Sequence, residues 1–150
     1  MPLRLRFVGQ VSAELRGQIA RAGLLPATEF VAFVPHDESV AYLLSASALL
    51  MAIPDVPRNF GILPGKVFEY LAANKPILCV GPAGSDADHL LQERGAGQAL
   101  PYQDFALMLE TLEALVAQWR INPNLDLPAV SHARYSRRAL AGELAKLVRP

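Results

Sequence analysis

Residues 59–76 read NFGILPGKVFEYLAANKP, and two charges in this stretch, Lys66 and Glu69, fall one helical turn apart where a loop gives way to a helix. Pro64 is expected at the first helical position, which leaves nearby backbone N–H groups free where the helix dipole favours an anion. Gly61 and Gly65 permit close approach of a ligand to the backbone, so amides and the Lys66 ammonium could together hold a phosphate. A carboxylate one turn deeper is a natural acceptor for two adjacent sugar hydroxyls. Diphosphate at the helix start with ribose on Glu69 describes a nucleotide-sugar. The same spacing also describes an i,i+3 surface ion pair worth roughly a few tenths of a kcal/mol. Spacing alone leaves both readings open.

The elements that must position these residues follow from the apolar pattern. LRLRFVG alternates and ends in glycine, as a strand opening into a turn does. SAELRGQIARAGL places Leu15, Ile19 and Ala22 at helical spacing, with Ser12 as N-cap. EFVAFV reads as a second strand. HDESVAYLLSA reads as a short helix capped by Asp37, with Val40, Leu43 and Leu44 turned inward. ALLMAI is a third strand, its continuous apolar run implying two covered faces. The opening stretch supplies a helix from Pro64 to Ala73. PILCV is a fourth strand, SDADHLLQERG a helix stopped by Gly95, and GQAL a fifth strand.

This alternation predicts an α/β fold, a doubly wound parallel sheet with helices on both faces. After it, YQDFALMLETLEALVAQW carries Phe105, Met108, Leu112, Leu115 and Trp119 on one core-facing stripe. INPNLDLPAV connects to a closing helix, SHARYSRRALAGELAKLV, with Leu140, Leu144, Leu147 and Val148 on one side. In such sheets ligands bind beyond the carboxyl ends of the strands. Three loops meet there: the one after FVAFV, the long one from Pro54 to Leu63, and GPAGS. A loop of that length among short turns points to function.

Composition excludes several classes. The 150 residues carry 14 Lys and Arg against 14 Asp and Glu, so no net field draws the chain to nucleic acid. No apolar run approaches the roughly 20 residues of a membrane span, and the opening MPLRLRFVGQ has no long apolar stretch of the signal-peptide kind. The single cysteine, Cys79, sits in an apolar run as a core residue does. The expected compartment is the cytoplasm.

Other motifs read as structure. Asp86 and Asp88 in SDAD form an Asp-x-Asp pair, a spacing used for metal binding elsewhere. Ser85 as a helix cap with Asp88 as capping-box partner is the simpler account. His36, His89 and His132 have no zinc-ligand spacing, and His36 alone falls at the binding edge. RYSRR (134–138) reads as a solvated helix face.

GILPGKVFEYLAANKPIL resembles the donor-binding signature of the retaining group-1 GT-B glycosyltransferases: Pro, one residue, Lys, two residues, Glu-Tyr-Leu-Ala, a short turn, then Pro and an apolar strand. LRLRFVG, EFVAFVPHDESVAYLLSASALLMAIP and GPAGSDADHLLQERGAG resemble successive segments of the same nucleotide-binding C-terminal domain. The likeness covers about residues 3–120, and the final helix also fits the family's ending.

The resemblance implies a Rossmann-like domain that binds a nucleoside diphosphate sugar as substrate, with no metal or other cofactor expected. By position, Glu69 matches the family glutamate that hydrogen-bonds ribose. Pro64, Gly65 and Lys66 fall where the family lines the diphosphate, and Val34, Pro35 and His36 fall near the base. Many members carry an earlier glutamate near the donor sugar. That position here is Gly61, so donor-sugar contacts must come from backbone or elsewhere.

The family's first glycine-rich strand and helix, and its whole acceptor-binding N-terminal domain, have no counterpart in the chain. The expectation is therefore a single donor-binding domain over residues 1–150 that belongs to a longer two-domain enzyme. Such a domain folds alone, self-associates through an uncovered apolar patch, and contains no catalytic residue of its own. The longer enzyme would transfer a hexose-type sugar to a glycan or lipid-linked acceptor in polysaccharide biosynthesis, in the cytoplasm or at the inner face of the membrane. The alternatives are a non-catalytic Rossmann-like binding module and a GT-B nucleotide-sugar epimerase.

Overall fold

The computed structural model of the chain describes residues 3–127 and 137–148 and contains two compact units, Met1–Tyr42 and Leu43–Pro150. The expectations for His132 and for residues 134–136 of RYSRR lie outside the described residues.

In the first unit, strand β1 (Leu5–Val8) leads into helix α1 (Ala13–Arg21), a 3-10 turn at Leu25–Ala27, strand β2 (Thr28–Val31) and the start of helix α2 (His36–Ser45). The two strands are parallel, with Arg6 opposite Glu29 and Phe7 opposite Phe30. Alternation in LRFV sorts these pairs onto opposite faces. On one face the Phe7 and Phe30 rings stack at 5.6 Å. On the other, Arg6 Nε meets Glu29 Oε2 at 2.8 Å. Ser12 caps α1 as expected, its Oγ accepting from the Leu15 amide at 3.2 Å. Helix α2 starts two residues earlier than a cap at Asp37 requires. The Ser39 amide already bonds the Pro35 carbonyl at 3.0 Å, and Asp37 lies in the first turn.

The second unit holds strands β3 (Leu49–Ala52), β4 (Ile77–Val80) and β5 (Gly97–Leu100). They form one parallel sheet in the order β3-β4-β5. With them run helices α3 (Lys66–Ala72), α4 (Asp86–Glu93), α5 (Phe105–Ile121) and α6 (Arg137–Val148). The protein is thus α/β with parallel strands in Rossmann-like alternation. Its strands are divided between a pair and a triplet rather than joined in one sheet.

The core of this unit sits on one face of the triplet. Leu49, Met51, Ile77 and Cys79 from the strands pack with Val67 and Leu71 of α3 and with Ala87, Leu90 and Leu91 of α4. Met51, Val67, Cys79 and Leu91 are fully buried. Met51, Val67 and Leu91 each contribute roughly 1.5–3 kcal/mol through burial. The opposite face corrects the expectation for β3. Burial alternates along LLMA, and Leu50 and Ala52 remain exposed, because the apolar stripes of α3 and α4 meet only the face bearing Leu49 and Met51.

Two details fix the sheet's shape. Gly97 opens β5 at φ +148°, and a Cβ there would lie 2.2 Å from the Ile77 carbonyl oxygen, so no other residue fits. Helix α3 is C-capped by Ala73, followed by Asn74 in the left-handed region at φ 57°. Asn74 and Leu127 then exchange hydrogen bonds, the Leu127 amide reaching the Asn74 carbonyl at 2.9 Å and the Asn74 side chain the Leu127 carbonyl. The stripe on α5 is half-buried from Met108 to Trp119, whereas Phe105 is exposed. Leu140, Leu144, Leu147 and Val148 of α6 are likewise exposed.

Candidate functional site

Helix α3 owes its orientation to two apolar residues one turn apart. Val67 and Leu71 are buried, so a 3.6-residue repeat turns Lys66 and Glu69 outward, and both are exposed. Among the described residues neither forms an ion pair. The pairs seen include Arg6 with Glu29, Lys75 with Asp126 and Lys146 with Glu143. The i,i+3 pair that the spacing allowed is not made.

The helix begins two residues later than the sequence suggests. Pro64 is not its first residue. The Val67 amide bonds the Pro64 carbonyl at 2.9 Å, closing a tighter turn, and Gly65 at φ −54°, ψ −32° is the N-cap with no side-chain hydrogen bond. A Cβ on Gly65 would meet nothing within 4 Å, and one on Gly61 would meet only Asp86 Oδ2, at 3.9 Å. The fold itself does not require glycine at either position.

Two loops border α3 at the carboxyl edge of the triplet. The first runs from Ile53 through a 3-10 turn at Asn59–Gly61 to Gly65. The second, GPAGS, joins β4 to α4. Ladder bonds continue into both, from the Ile53 amide to the Val80 carbonyl at 2.8 Å and from the Gly81 amide to the Leu100 carbonyl at 3.0 Å. Gly81 packs so closely on Ile53 that a Cβ would come within 2.9 Å of its side chain.

The first loop is held from within. Asn59 is a buried polar side chain. Its Nδ2 donates to the Pro54 carbonyl at 3.0 Å and to the Tyr102 hydroxyl oxygen at 2.9 Å. That hydroxyl lies 3.0 Å from the Ile53 carbonyl oxygen and 3.2 Å from that of Pro54. Burial pushes the Tyr102 phenol above its ordinary range, the negative charge of Asp55 adds to this, and the Asn59 bond works against it. Just before Asn59, Arg58 is exposed and adopts φ 62°, a left-handed conformation that costs a non-glycine residue about 1–2 kcal/mol.

The second loop is held by Asp88. Ser85 caps α4, its Oγ accepting from the Asp88 amide at 3.2 Å. The Asp88 carboxylate does not complete the capping box on Ser85. It accepts instead from the amides of Gly84 and Ala99, each at 2.7 Å, and from Gln92 Nε2 at 2.8 Å. Burial alone would raise this carboxyl, but the three donors outweigh it and hold it below the ordinary aspartate range. Its lone pairs are committed to the fold, and Asp86 beside it is exposed.

Of the residues expected to form a site, Gly61, Pro64, Gly65, Lys66 and Glu69 belong to the second unit, within one continuous loop-helix segment. Val34, Pro35 and His36 belong to the first unit, at the carboxyl end of β2, where His36 is the exposed first residue of α2. His89 is exposed on α4. Sequence reasoning missed Arg58, Asn59 and Tyr102. Asn59 and Tyr102 lie 43 residues apart, and no spacing rule links them.

A cavity of about 420 Å³ occurs at the other edge of the triplet, at the amino ends of β4 and β5, lined in part by Pro76, Ile77, Gly97, Gln98, Thr111 and Leu115. It carries no charged side chain, and the Thr111 hydroxyl is engaged by the Leu107 carbonyl at 2.7 Å. The exposed charges of Lys66 and Glu69 lie instead on α3, which follows the carboxyl end of β3. No known family model matches this sequence, and comparison with curated proteins finds no match.

Proposed function

We propose that this chain is the donor-binding part of a sugar-nucleotide-dependent glycosyltransferase, with the nucleoside diphosphate bound at the loop-helix segment from Arg58 to Glu69. The observation that carries the reading is the state of Lys66 and Glu69. Both are exposed on the outer side of a helix anchored by Val67 and Leu71, and among the described residues neither is paired. A lysine and a carboxylate that do not satisfy each other are available to a ligand with both a negative charge and hydroxyl donors. The GILPGKVFEYLA pattern resembles the family signature at these same positions.

In this reading Glu69 accepts hydrogen bonds from the ribose hydroxyls, and Lys66 neutralises the diphosphate with amides around Gly61 and Gly65. Charge developing on the departing nucleoside diphosphate is stabilised by these fixed donors, which is electrostatic catalysis of leaving-group departure. The acceptor, a glycan or a lipid-linked sugar, is bound by a further domain of a longer enzyme acting in the cytoplasm or at the membrane's inner face. No helix among the described residues is long and apolar enough to cross a membrane.

Calorimetric titration of the chain with uridine and guanosine diphosphates, and with the bare nucleosides, tests the reading. Saturable binding of a diphosphate in preference to its nucleoside supports it, and no binding of either diphosphate contradicts it. The purified chain is expected not to transfer sugar by itself. Turnover at the rate of a complete enzyme would contradict the two-domain account.

A further inference from the structure

We propose that Asn59 and Tyr102 form a latch that holds the loop between β3 and α3 in its ligand-ready shape. Both act as positioning residues rather than ligand contacts, and the inference rests on the nucleotide-binding reading above. Ordering a loop costs backbone entropy at every residue, so a site built on a loop needs something to offset that cost.

Among the described residues, the hydrogen bonds of Asn59 and Tyr102 are the only side-chain bonds made to residues 54–63. Asn59 divides its two amide protons between Pro54, at the loop's start, and Tyr102, just beyond β5. The Tyr102 hydroxyl returns its own proton to the Ile53 or Pro54 carbonyl. The first half of the loop is therefore folded back and clipped to a residue from another strand's end. Removing either partner leaves polar groups unsatisfied, Asn59 itself being 6% exposed.

Two backbone turns follow the latch along the segment that carries Lys66. The Ile62 amide bonds the Asn59 carbonyl at 3.1 Å, and the Val67 amide bonds the Pro64 carbonyl at 2.9 Å. The left-handed Arg58 immediately precedes Asn59, so the same clip that fixes the loop also offsets that residue's strain. Preorganised donors bind more tightly because less freedom is lost on binding. The latch thus acts on affinity through the shape of the loop.

The test uses Tyr102→Phe and Asn59→Ala in the 150-residue chain, at a temperature where circular dichroism reports both fully folded. Amide hydrogen exchange read by mass spectrometry follows residues 55–63 and, as a reference, β4. Calorimetry follows uridine and guanosine diphosphates. Each variant is expected to speed exchange in residues 55–63 at least tenfold, to leave β4 unchanged, and to weaken diphosphate binding at least tenfold. Exchange that is unchanged in the loop, or faster in loop and β4 alike, overturns the latch whatever the binding result. Faster loop exchange with unchanged affinity overturns the positioning role while the nucleotide reading stands. No diphosphate binding by the wild type overturns the nucleotide reading and the positioning role with it.

Discussion

The carboxylate of Asp88 accepts the amide proton of Ala99 at 2.7 Å, joining the first turn of α4 to the neighbouring strand β5. Because the same carboxylate holds the Gly84 amide at 2.7 Å, one buried charge fixes both the GPAGS loop and the strand next to it.

Acid should expose this dependence. The folded-state pKa of Asp88 is lowered, so the group's stabilisation is complete above the ordinary aspartate value near 3.9 and is lost as pH falls through the folded value. Asp88→Asn removes the charge and should cost about 1.5–3 kcal/mol at neutral pH, the range for hydrogen bonds to a charged group. Urea unfolding at pH 7 and at pH 3 checks this. The variant should lose less stability between the two than the wild type does, and equal losses would contradict the assignment.

Gly65 separates fold from function. Its backbone is in the ordinary right-handed region and a Cβ meets nothing within 4 Å. Gly65→Ala should therefore stabilise the chain by about 0.4–1 kcal/mol through the unfolded state. It should also weaken diphosphate binding, because the methyl group blocks close approach to the backbone. Thermal melts and titrations of the same preparation read both effects. A destabilised variant, or one with unchanged affinity, would contradict one half of the argument.

Cys79 should be inert in the native chain. It is fully buried, and burial, with the charge of Asp88 adding to it, pushes its thiol up to about 11. Alkylation by iodoacetamide at pH 8 is expected only after unfolding. Rapid labelling under native conditions would mean that the core around Met51 and Leu91 opens readily.

The parts legible in the sequence are those encoded within a few residues. Apolar runs separated by helical repeats gave the parallel α/β order, and Ser12 and Ser85 announced their helices because a cap bond spans three residues. Local signals misled where a neighbouring bond pre-empted them. The Pro35 carbonyl starts α2 before Asp37 can cap it, and the turn closed on Pro64 delays α3 to Lys66. Asn59 and Tyr102 were invisible because a contact between distant residues depends on how the strands are ordered, which periodicity does not report.

In the proposed site Glu69 reads the sugar of a nucleotide and Lys66 its charge. Calorimetric titration of the wild type, Glu69→Ala and Lys66→Ala with uridine and guanosine diphosphates and the bare nucleosides tests it most directly. Glu69→Ala should weaken diphosphate and nucleoside alike, by about 1.5–3 kcal/mol for hydrogen bonds to a charged group. Lys66→Ala should weaken the diphosphate more than the nucleoside, with an effect that shrinks as salt is added. Equal affinities across all three proteins would contradict the assignment of the site to this helix.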